Sequence, residues 1–242
     1  MNAILQVTAP VVENVRLARD TYRLRFHAPE MARLIRPGQF MMVRLPGITD
    51  PLLGRPFALY DTVLDSQGQP VGIDIVYLVV GKMTRLLTGL KVGDEVEVWG
   101  PLGNRFPEPV ASGPIALVAG GIGQTPFLAH IRELLGTRGY GGEAPRQRTK
   151  RVSLYYGVRT ANLAAGVDDF RAAGAEVHLA SDDGSLGYKG FVTQLLSEQP
   201  RPDHIFGCGP EPMLKALAHL TQSWKVPCHV SLETPMACGI GI

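Results

Sequence analysis

The stretch VAGGIGQTPFLAHI, residues 118–131, is the most informative motif in the second half of the chain. An apolar strand pattern runs into three glycines, Gly120, Gly121 and Gly123. A helix pattern follows, with Thr125 as its expected cap and Pro126 in the first turn, where a missing N–H costs least. Backbone donors and the positive end of the helix dipole converge here, which is typical of phosphate or pyrophosphate sites. A tight turn without a ligand is the alternative, because the spacing is not GxGxxG.

Strand and helix patterns alternate from Pro114 onward. In chain order they are strand IALVAG, helix PFLAHIRELLG, strand VSLYYGV, a short helix at DDFRAAG, strand AEVHLAS, helix FVTQLLSE, strand HIFGCG, helix EPMLKALAHLTQSW and strand CHVSLE. This alternation predicts an open parallel sheet with helices on both faces, which binds ligands at the carboxyl ends of its strands. The polar loop over residues 138–150 is expected to be exposed and mobile.

The first half has a different pattern. From Val11 to Trp99, short runs rich in Val, Tyr, Phe and Leu are broken by Pro and Gly. These runs predict an antiparallel β-barrel or sandwich with one helix, at MTRLLTGL. The two halves meet where Pro and Gly are concentrated, in PLGNRFPEPVASGP. We therefore predict a two-domain β + α/β chain, with domains at residues 1–110 and 111–232 and a terminal segment at residues 233–242.

Composition narrows the classes of function. Hydrophobic residues make up 45% and charged residues 19% of the chain, which is ordinary for a globular protein. A net charge of +2 without a long Lys/Arg run does not indicate binding to nucleic acid or to an anionic membrane. Small-molecule partners are therefore expected. No signal-peptide pattern begins the chain, and three scattered cysteines cannot form a disulfide scaffold; both favour a cytoplasmic protein. The six histidines lack metal-ligand spacing, and no Ser nucleophile or paired-carboxylate pattern occurs, so zinc and hydrolytic chemistry are excluded.

Two stretches of the first half could bind anions. In GRPFALYD, Arg55 stands beside the rigid Pro56 and the aromatic Phe57, so it could pair with a phosphate while the ring stacks on a flat heterocycle. A surface Arg beside a strand that buries Phe57 is the alternative. In YLVVGKMTRLL, a strand ends at Gly81 and a helix follows with Thr84 as a plausible cap, which predicts either a second anion site or a structural turn.

Two stretches of the second half follow strands of the parallel sheet. Cys208 stands at a strand end, and Gly209 and Pro210 open the next helix, so they are expected at the ligand crevice. A small buried Cys is the alternative. Asp182 and Asp183 follow another strand, where carboxylates can accept hydrogen bonds from ribose hydroxyls, although a solvated turn explains them equally well.

Together these motifs resemble a known family. A β half with RPFAL and GKMT, followed by VAGGIGQTP, ASDDGSLGYKG, FGCGP and SLETPMACGIG, is similar to the ferredoxin-NADP reductase superfamily over essentially the whole chain. Within it, the chain resembles the electron transfer subunits of NAD-dependent dihydroorotate dehydrogenase. The resemblance implies that NADH, FAD and a [2Fe-2S] cluster exchange electrons with a catalytic FMN subunit in pyrimidine biosynthesis. The alternatives are a reductase subunit of a hydrogenase or oxygenase system, and a non-catalytic nucleotide- or flavin-binding module.

The resemblance also implies site residues. For FAD it implies Arg55 at the phosphates, Phe57 and Ala58 along the isoalloxazine, Leu59 and Tyr60 continuing that strand, and Gly81, Lys82, Met83 and Thr84 at the pyrophosphate. For NAD(H) it implies Gly120, Gly121, Gly123 and Thr125 at the phosphates, and Cys208, Gly209 and Pro210 near the nicotinamide. Two positions depart from the family, which usually has Ser or Thr at Ala58 and Gly at Met83. Ala58 is expected to change the redox tuning of the flavin. Met83 is expected to crowd the second phosphate loop.

The end of the sequence carries one more expectation. In the family, Cys-Gly-x-Gly opens a loop that binds the [2Fe-2S] cluster with C-x4-C-x2-C spacing and one distant Cys. Cys238 is then a cluster ligand, and the next ligand falls just after Ile242. We expect the start of a truncated cluster-binding tail, or a family member without a cluster. Glu233 is expected near the flavin, or else is a surface charge.

Overall fold

The structure is a computed structural model that describes residues 4–110, 112–232 and 236–240. These residues form two compact units. The first contains residues 4–106, 140–143 and 236–240, and the second contains residues 107–110, 112–139 and 144–232. The predicted two-part β + α/β fold is confirmed. The predicted boundaries at residues 110 and 232 stay predictions.

Seven antiparallel strands form the sheet of the first unit, in the order β4-β3-β7-β1-β2-β6-β5. The strands are β1 Leu5–Ala18, β2 Thr21–His27, β3 Phe40–Arg44, β4 Arg55–Ala58, β5 Asp61–Leu64, β6 Pro70–Leu78 and β7 Glu95–Leu102. The chain passes from one end of the sheet to the other at Leu59 and Tyr60. The Leu59 N–H donates to the Gln39 carbonyl and the Tyr60 N–H to the Asp74 carbonyl, each at 3.0 Å. The two ends of the sheet are thereby joined, which closes it toward a barrel.

Two short helices accompany this sheet, α1 Pro29–Leu34 and α2 Lys82–Leu87. The expectation of a single helix here is wrong, because a second six-residue helix, α1, forms earlier in the chain. Pro29 starts α1 with a preset backbone angle, and Met31 and Ala32 are buried. The core beneath comes from alternating strand residues such as Leu24 and Phe26, both fully buried.

The second unit has a parallel sheet of six strands, in the order β11-β10-β9-β8-β12-β13. The strands are β8 Ile115–Gly120, β9 Val152–Val158, β10 Glu176–Ser181, β11 Tyr188–Lys189, β12 His204–Cys208 and β13 Cys228–Ser231. The helices are α3 Phe127–Leu135, α4 Val167–Ala172, α5 Val192–Ser197 and α6 Glu211–Trp224. Every residue of β8 and β12 is buried, as expected for central strands covered on both faces.

The loop predicted to be exposed and mobile over residues 138–150 is exposed only in part. Tyr140 is 4% exposed, and its hydroxyl donates to the buried Asp61 carboxylate at 2.7 Å. Glu143 forms an ion pair with Arg36 at 2.8 Å. These contacts place residues 140–143 in the first unit, because the buried Asp61 takes its hydrogen bond from that segment.

No helix in the part of the chain that the structure describes is both long enough and apolar enough to span a membrane.

Candidate functional site

The glycine-rich turn after β8 has a different shape from the one predicted. Residues Gly121–Gln124 form a short 3₁₀ helix, and α3 begins at Phe127. The prediction that Thr125 caps α3 is wrong, because Pro126 occupies the cap position and no side chain caps the helix. Thr125 instead continues the 3₁₀ turn, and its N–H donates to the Ile122 carbonyl at 3.1 Å. The turn therefore passes directly into α3 without a capping hydroxyl.

Three glycines let this turn pack against the loop after β12. A side chain at Gly123 would overlap the Cys208 carbonyl, and one at Gly120 would come within 2.7 Å of Pro210. Gly209, with φ of +154°, approaches the Gly120 nitrogen in the same way. Glycine is required at these positions because any Cβ would push the two loops apart. The structure thus brings together residues that the sequence separates by more than eighty positions.

Gly121 differs from its neighbours because it faces open space. Its φ of +56° lies in the left-handed region, and no atom lies within 4 Å of a Cβ built there. A backbone without a side chain, at the start of a helical segment, fits the close approach of a phosphate. Gln124, three positions before the start of α3, is fully buried, and neither polar atom of its amide has a partner among the described residues.

These loops lie where the strand order reverses. From β8 the chain adds β9, β10 and β11 on one side, and β12 and β13 on the other. The carboxyl ends of β8 and β12 therefore flank the switch point at which open parallel sheets bind nucleotides. Cys208 is the last residue of β12 and is 5% exposed, and Pro210 precedes α6. A nicotinamide-side role for Cys208, Gly209 and Pro210 stays a prediction.

The two aspartates after β10 have different environments. The Asp183 carboxylate accepts from the Ser185 N–H at 3.0 Å and from the Ser185 hydroxyl at 2.6 Å, and these hydrogen bonds lower the pKa of Asp183. Asp183 therefore holds its own turn. Asp182 is exposed, and in the described part of the chain its carboxylate has no ion pair. Arg159 directly follows β9, the strand between β8 and β10.

The predicted flavin residues of β4 are accessible at one end of the sheet. Arg55 is exposed, and its Nη1 donates to the carbonyls of Leu53 and Gly54 at 2.9 and 3.1 Å. A guanidinium has five N–H donors, so others remain for a phosphate. Phe57 is half-buried, and its ring meets that of Tyr77 edge to face at 6.1 Å. Tyr22 stacks on Tyr77 at 5.7 Å, which extends the aromatic surface.

The rest of this stretch has mixed exposure. Ala58 is half-buried and pairs with Phe40 of β3. The prediction that Leu59 and Tyr60 continue the strand is wrong, because β4 ends at Ala58. Leu59 and Tyr60 are 0% and 1% exposed, and their N–H groups are used in closing the sheet. The accessible groups for a ring system are therefore those of Arg55 to Ala58.

The loop into α2 presents a second set of backbone donors. Gly81 takes the cap position in an extended conformation, with nothing within 4 Å of a Cβ built there. The prediction that Thr84 caps α2 is wrong, because it is the third helical residue. Its hydroxyl accepts from the Val80 and Gly81 N–H groups at 3.0 and 3.1 Å. Lys82, beside Gly81, forms an ion pair with Asp50. The first N–H groups of α2 lack intrahelical partners and can meet an anion.

Met83 does not crowd this loop as expected. Its side chain is 2% exposed and lies on the same helical face as the fully buried Leu87, four residues later. It therefore packs into the core. A pyrophosphate fits at Gly81 because the extended backbone there is open where a Cβ would stand.

The segment around Cys238 packs on the first unit. The Trp99 indole Nε1–H donates to the Cys238 carbonyl at 2.9 Å, and the Ile240 N–H donates to its sulfur at 3.4 Å. Gly239 lies so close to Met42 and Leu102 that a Cβ would come within 3.0 Å of each. The segment is therefore a packed part of the first unit.

A four-thiolate cluster does not fit these residues. Within residues 4–110, 112–232 and 236–240, no group of three or more His, Cys, Asp or Glu side chains could hold a metal ion. Cys208 and Cys228 belong to the second unit, and Cys238 supplies one thiol where a [2Fe-2S] cluster takes four ligands. Glu233 lies outside the described residues.

Comparisons with known proteins agree with this division of the chain. Residues 8–106 match the model of the oxidoreductase FAD-binding domain, and residues 117–219 match that of the oxidoreductase NAD-binding domain. The dihydroorotate dehydrogenase B (NAD(+)) electron transfer subunit of Desulforamulus reducens is 35% identical, over 96% of this chain and 84% of the relative. The subunits of the same name from Clostridium acetobutylicum and Geobacillus thermodenitrificans are 35% and 36% identical, over 96% of this chain and 83% and 84% of the relatives.

Solved structures show the same fold. A chain of the NADH-dependent reduced ferredoxin-NADP oxidoreductase, described in connection with flavin-based electron bifurcation, has a TM-score of 0.79 and 28% identity. The match covers 97% of this chain and 79% of that chain. The ferredoxin reductase of carbazole 1,9a-dioxygenase has a TM-score of 0.75 at 23% identity, over 94% and 69% of the two chains, and supports the fold alone.

Proposed function

The chain belongs to the family of dihydroorotate dehydrogenase B (NAD(+)) electron transfer subunits, and we propose that it passes electrons between NAD(H) and a separate catalytic subunit that oxidises dihydroorotate in pyrimidine biosynthesis. It is an NAD(H)-dependent flavoprotein oxidoreductase with an FAD-binding and an NAD-binding domain. One observation carries the proposal. Two open backbone positions, Gly81 and Gly121, each lie at the start of a helical segment in a different unit, where two dinucleotides would place their phosphates.

In the first unit we assign the flavin to β4 and the loop before α2. The Arg55 guanidinium pairs with phosphate oxygens, and the open backbone at Gly81 admits the pyrophosphate to the first N–H groups of α2. Phe57 and Ala58 lie along the ring system. Ala58 offers no side-chain hydrogen bond, so a polar contact at that residue comes from its backbone. When bound, FAD and NAD(H) supply hydride transfer and the exchange of single electrons.

In the second unit we assign NAD(H) to the switch point. The backbone at Gly121 meets the phosphates, and the contacts of Gly120 and Gly123 hold the two loops at fixed separation. We assign the nicotinamide side to the loop at Cys208, Gly209 and Pro210, which packs tightly on Gly120 and Gly123. The exposed Asp182 accepts from a ribose hydroxyl. A cytoplasmic location stays a prediction from the sequence.

A flavin titration tests this assignment. We would purify the protein under anaerobic conditions, record its visible absorption spectrum, and add one equivalent of NADH. A flavin spectrum that bleaches on NADH is the expected result. Absence of flavin, or flavin that NADH does not bleach while dithionite does, would contradict the proposed function.

The Gly81→Ala variant tests the flavin site itself. The added methyl has room in the structure, so the variant folds, but it occupies the space assigned to the pyrophosphate. We expect FAD affinity to fall about tenfold, which corresponds to ~1.4 kcal/mol. Gly89→Ala is the matched control, because its Cβ meets the Leu86 carbonyl at an ordinary 3.5 Å. Equal FAD affinity in both variants would remove Gly81 from the site.

Steady transfer of electrons to a purified catalytic subunit tests the partner. We expect NAD(+)-dependent oxidation of dihydroorotate only when both subunits are present. Transfer to an artificial acceptor without any transfer to that subunit would leave the flavoprotein assignment standing and contradict the partner.

A further inference from the structure

A cavity of about 340 Å³ lies in the second unit, away from the residues assigned to NAD(H). Its lining comes from two segments, residues 112–114 before β8 and residues 147–151 before β9. It therefore sits at the amino ends of the strands. The Gly121 turn follows the carboxyl end of β8, about 20 Å away along six residues of strand. A ligand in this cavity and a nucleotide at the switch point would not overlap.

Three cationic side chains line this cavity, Arg148, Lys150 and Arg151, together with Ser112, Gln147 and Thr149. No acidic residue is among the lining residues. Arg148 is half-buried and donates from Nη2 to Glu108 at 2.8 Å, and Arg151 donates to Glu176 at 2.9 Å. Glu108 and Glu176, which bind these two guanidinium groups, are not lining residues themselves. The Asp203 carboxylate lies next to Gly113, which is a lining residue. Lys150 is exposed and has no ion pair among the described residues.

Arg148 also has an unmet donor. Its Nη1 is buried and has no hydrogen-bond partner in the part of the chain that the structure describes. A buried N–H without an acceptor is unfavourable, and an acceptor group bound beside it removes that cost.

The walls of the cavity are fixed by hydrogen bonds. Thr149 is 3% exposed, and its hydroxyl donates to the Gly113 carbonyl at 2.7 Å and accepts from the Arg151 N–H at 3.1 Å. The Ile115 N–H donates to the Arg151 carbonyl at 3.1 Å, and both the Arg148 and Thr149 N–H groups donate to Leu134. The two lining segments are thus held together before any ligand binds, which lowers the entropy cost of binding.

We propose that this cavity, lined by Arg148, Lys150 and Arg151, binds a phosphate group, either inorganic phosphate or a phosphate monoester. A tetrahedral dianion suits a lining that holds three cationic residues with a hydroxyl and an amide beside them, because guanidinium and ammonium groups form charge-assisted hydrogen bonds to its oxygens. A volume of about 340 Å³ admits a phosphate with a small organic group attached. This binding site is additional to the proposed electron transfer function and does not depend on it.

Isothermal titration calorimetry on the flavin-loaded protein tests the proposal. Inorganic phosphate is titrated at constant ionic strength with NAD(+) present in excess, so that the nucleotide site is filled. We expect one phosphate site per chain under these conditions. Absence of phosphate binding with NAD(+) bound would overturn the proposal, since the remaining binding would belong to the nucleotide site.

A double variant assigns the site. Lys150→Gln with Arg151→Gln removes two exposed cations of the lining, and the expected loss of phosphate affinity is at least about tenfold. Lys215→Gln with Arg171→Gln is the matched control, because it removes two exposed, ion-paired cations elsewhere in the same unit. Equal affinity in the two double variants would overturn the proposal.

A second titration identifies the source of the phosphate group. Ribose 5-phosphate replaces inorganic phosphate in the same experiment. Tighter binding of the ester, lost in the Lys150/Arg151 double variant, supports a monoester ligand. Binding of inorganic phosphate alone, lost in the same variant, supports the free ion. Binding of either compound that the double variant does not weaken contradicts the site.

Discussion

His204 and His229 form a pair of imidazoles whose protons are arranged by a backbone contact. The Val110 N–H donates to His204 Nδ1 at 3.4 Å, so His204 carries its proton on Nε2 and donates it to His229 Nδ1 at 2.9 Å. His204 also packs on Phe206, whose ring meets the buried His130 edge to face. Burial, which is the largest cause, together with the nearby His229 and His130 lowers the pKa of His204 to about 4.

This pair predicts a loss of stability in mild acid. The folded pKa of His204 lies below its ordinary 6.5, so protonation favours the unfolded chain. The contribution of neutral His204 to the free energy of unfolding is complete above the unfolded pKa. It is lost as the pH falls from about 6.5 to about 4, and the loss is at most ~3 kcal/mol. We expect the free energy of unfolding, followed by fluorescence of Trp224, to fall over this range.

The His204→Gln variant isolates the effect. Gln cannot titrate, so the slope of the unfolding free energy against pH should be shallower by about one proton. His219→Gln, on the exposed face of α6, is the control. An unchanged slope in His204→Gln would assign the acid sensitivity to other groups.

Single residues of this kind were the least predictable from sequence. The environment of His204 depends on Val110 and His229, which are ninety-four positions before it and twenty-five after it. The sequence could not distinguish the roles of Asp182 and Asp183 for the same reason. Only the structure shows that the Ser185 hydroxyl donates to the Asp183 carboxylate. Residue type and order alone do not contain these partners.

At the scale of elements, Trp99 of β7 joins two segments of the first unit. Its Nε1–H binds the Cys238 carbonyl, and the far edge of its ring lies against Gly54, the residue before Arg55. The ring therefore holds the segment around Cys238 against the loop that we assign to the flavin phosphates.

Loss of the indole N–H should release that segment. We expect Trp99→Phe to raise the rate of Cys238 alkylation about fivefold, because one hydrogen bond contributes about 1 kcal/mol to holding it closed. The rate is measured by mass spectrometry, with the 5% exposed Cys208 as the internal reference. Trp224→Phe is the control, and an equal rate in both variants would contradict the role of Trp99.

The contact between the two nucleotide loops gives a second prediction at this scale. Ala at Gly123 overlaps the Cys208 carbonyl, so we expect Gly123→Ala to lower the free energy of unfolding by about 1–3 kcal/mol. The Michaelis constant for NADH should rise because the loops are forced apart. Gly89→Ala, which has room for its Cβ, should leave both quantities unchanged. A normal Michaelis constant in Gly123→Ala would separate this contact from nucleotide binding.

Elements were predictable where their pattern was long or strongly apolar. The predicted runs coincide with β8, β9 and α6, because buried parallel strands and a 14-residue amphipathic helix have clear patterns. The two-residue β11 escaped detection because it is too short to show a period. The six-residue α1 was missed although α2, α4 and α5 have the same length, so length alone does not explain it. Both predicted threonine caps were wrong, since cap identity depends on where a helix starts to within one residue.

At the scale of the whole molecule, the choice of nucleotide is the activity most open to test. We expect a higher kcat/KM with NADH than with NADPH, because the exposed Asp182 repels a 2′-phosphate. Asp182→Ser should reduce the preference about tenfold, while Asp183→Ser should mainly loosen the turn at Ser185. Steady-state kinetics with both nucleotides measures this. Comparable kcat/KM values for NADH and NADPH in the unaltered protein would contradict this preference. Arg159 would then be the next residue to substitute.

The overall architecture and the order of the binding motifs were predictable because they follow from the sequence of strand and helix patterns. The two-domain fold and the family were confirmed. What could not be predicted is the assignment of residues 140–143 and 236–240 to the first unit. Neither segment shows a strand or helix pattern, so only their contacts with Arg36, Asp61 and Trp99 show where they belong.

That assignment has a consequence for the order in which the protein is made. When residue 106 leaves the ribosome, the barrel still lacks the tyrosine hydroxyl that donates to Asp61 and the segment that covers Met42. The Tyr140 hydroxyl reaches Asp61 only after β8 and α3 have been synthesised, and Met42 is covered only after β13. The unit that begins first therefore gains its last contacts only after the strands of the second unit have been made, and the nascent barrel exposes Met42 to solvent during that time.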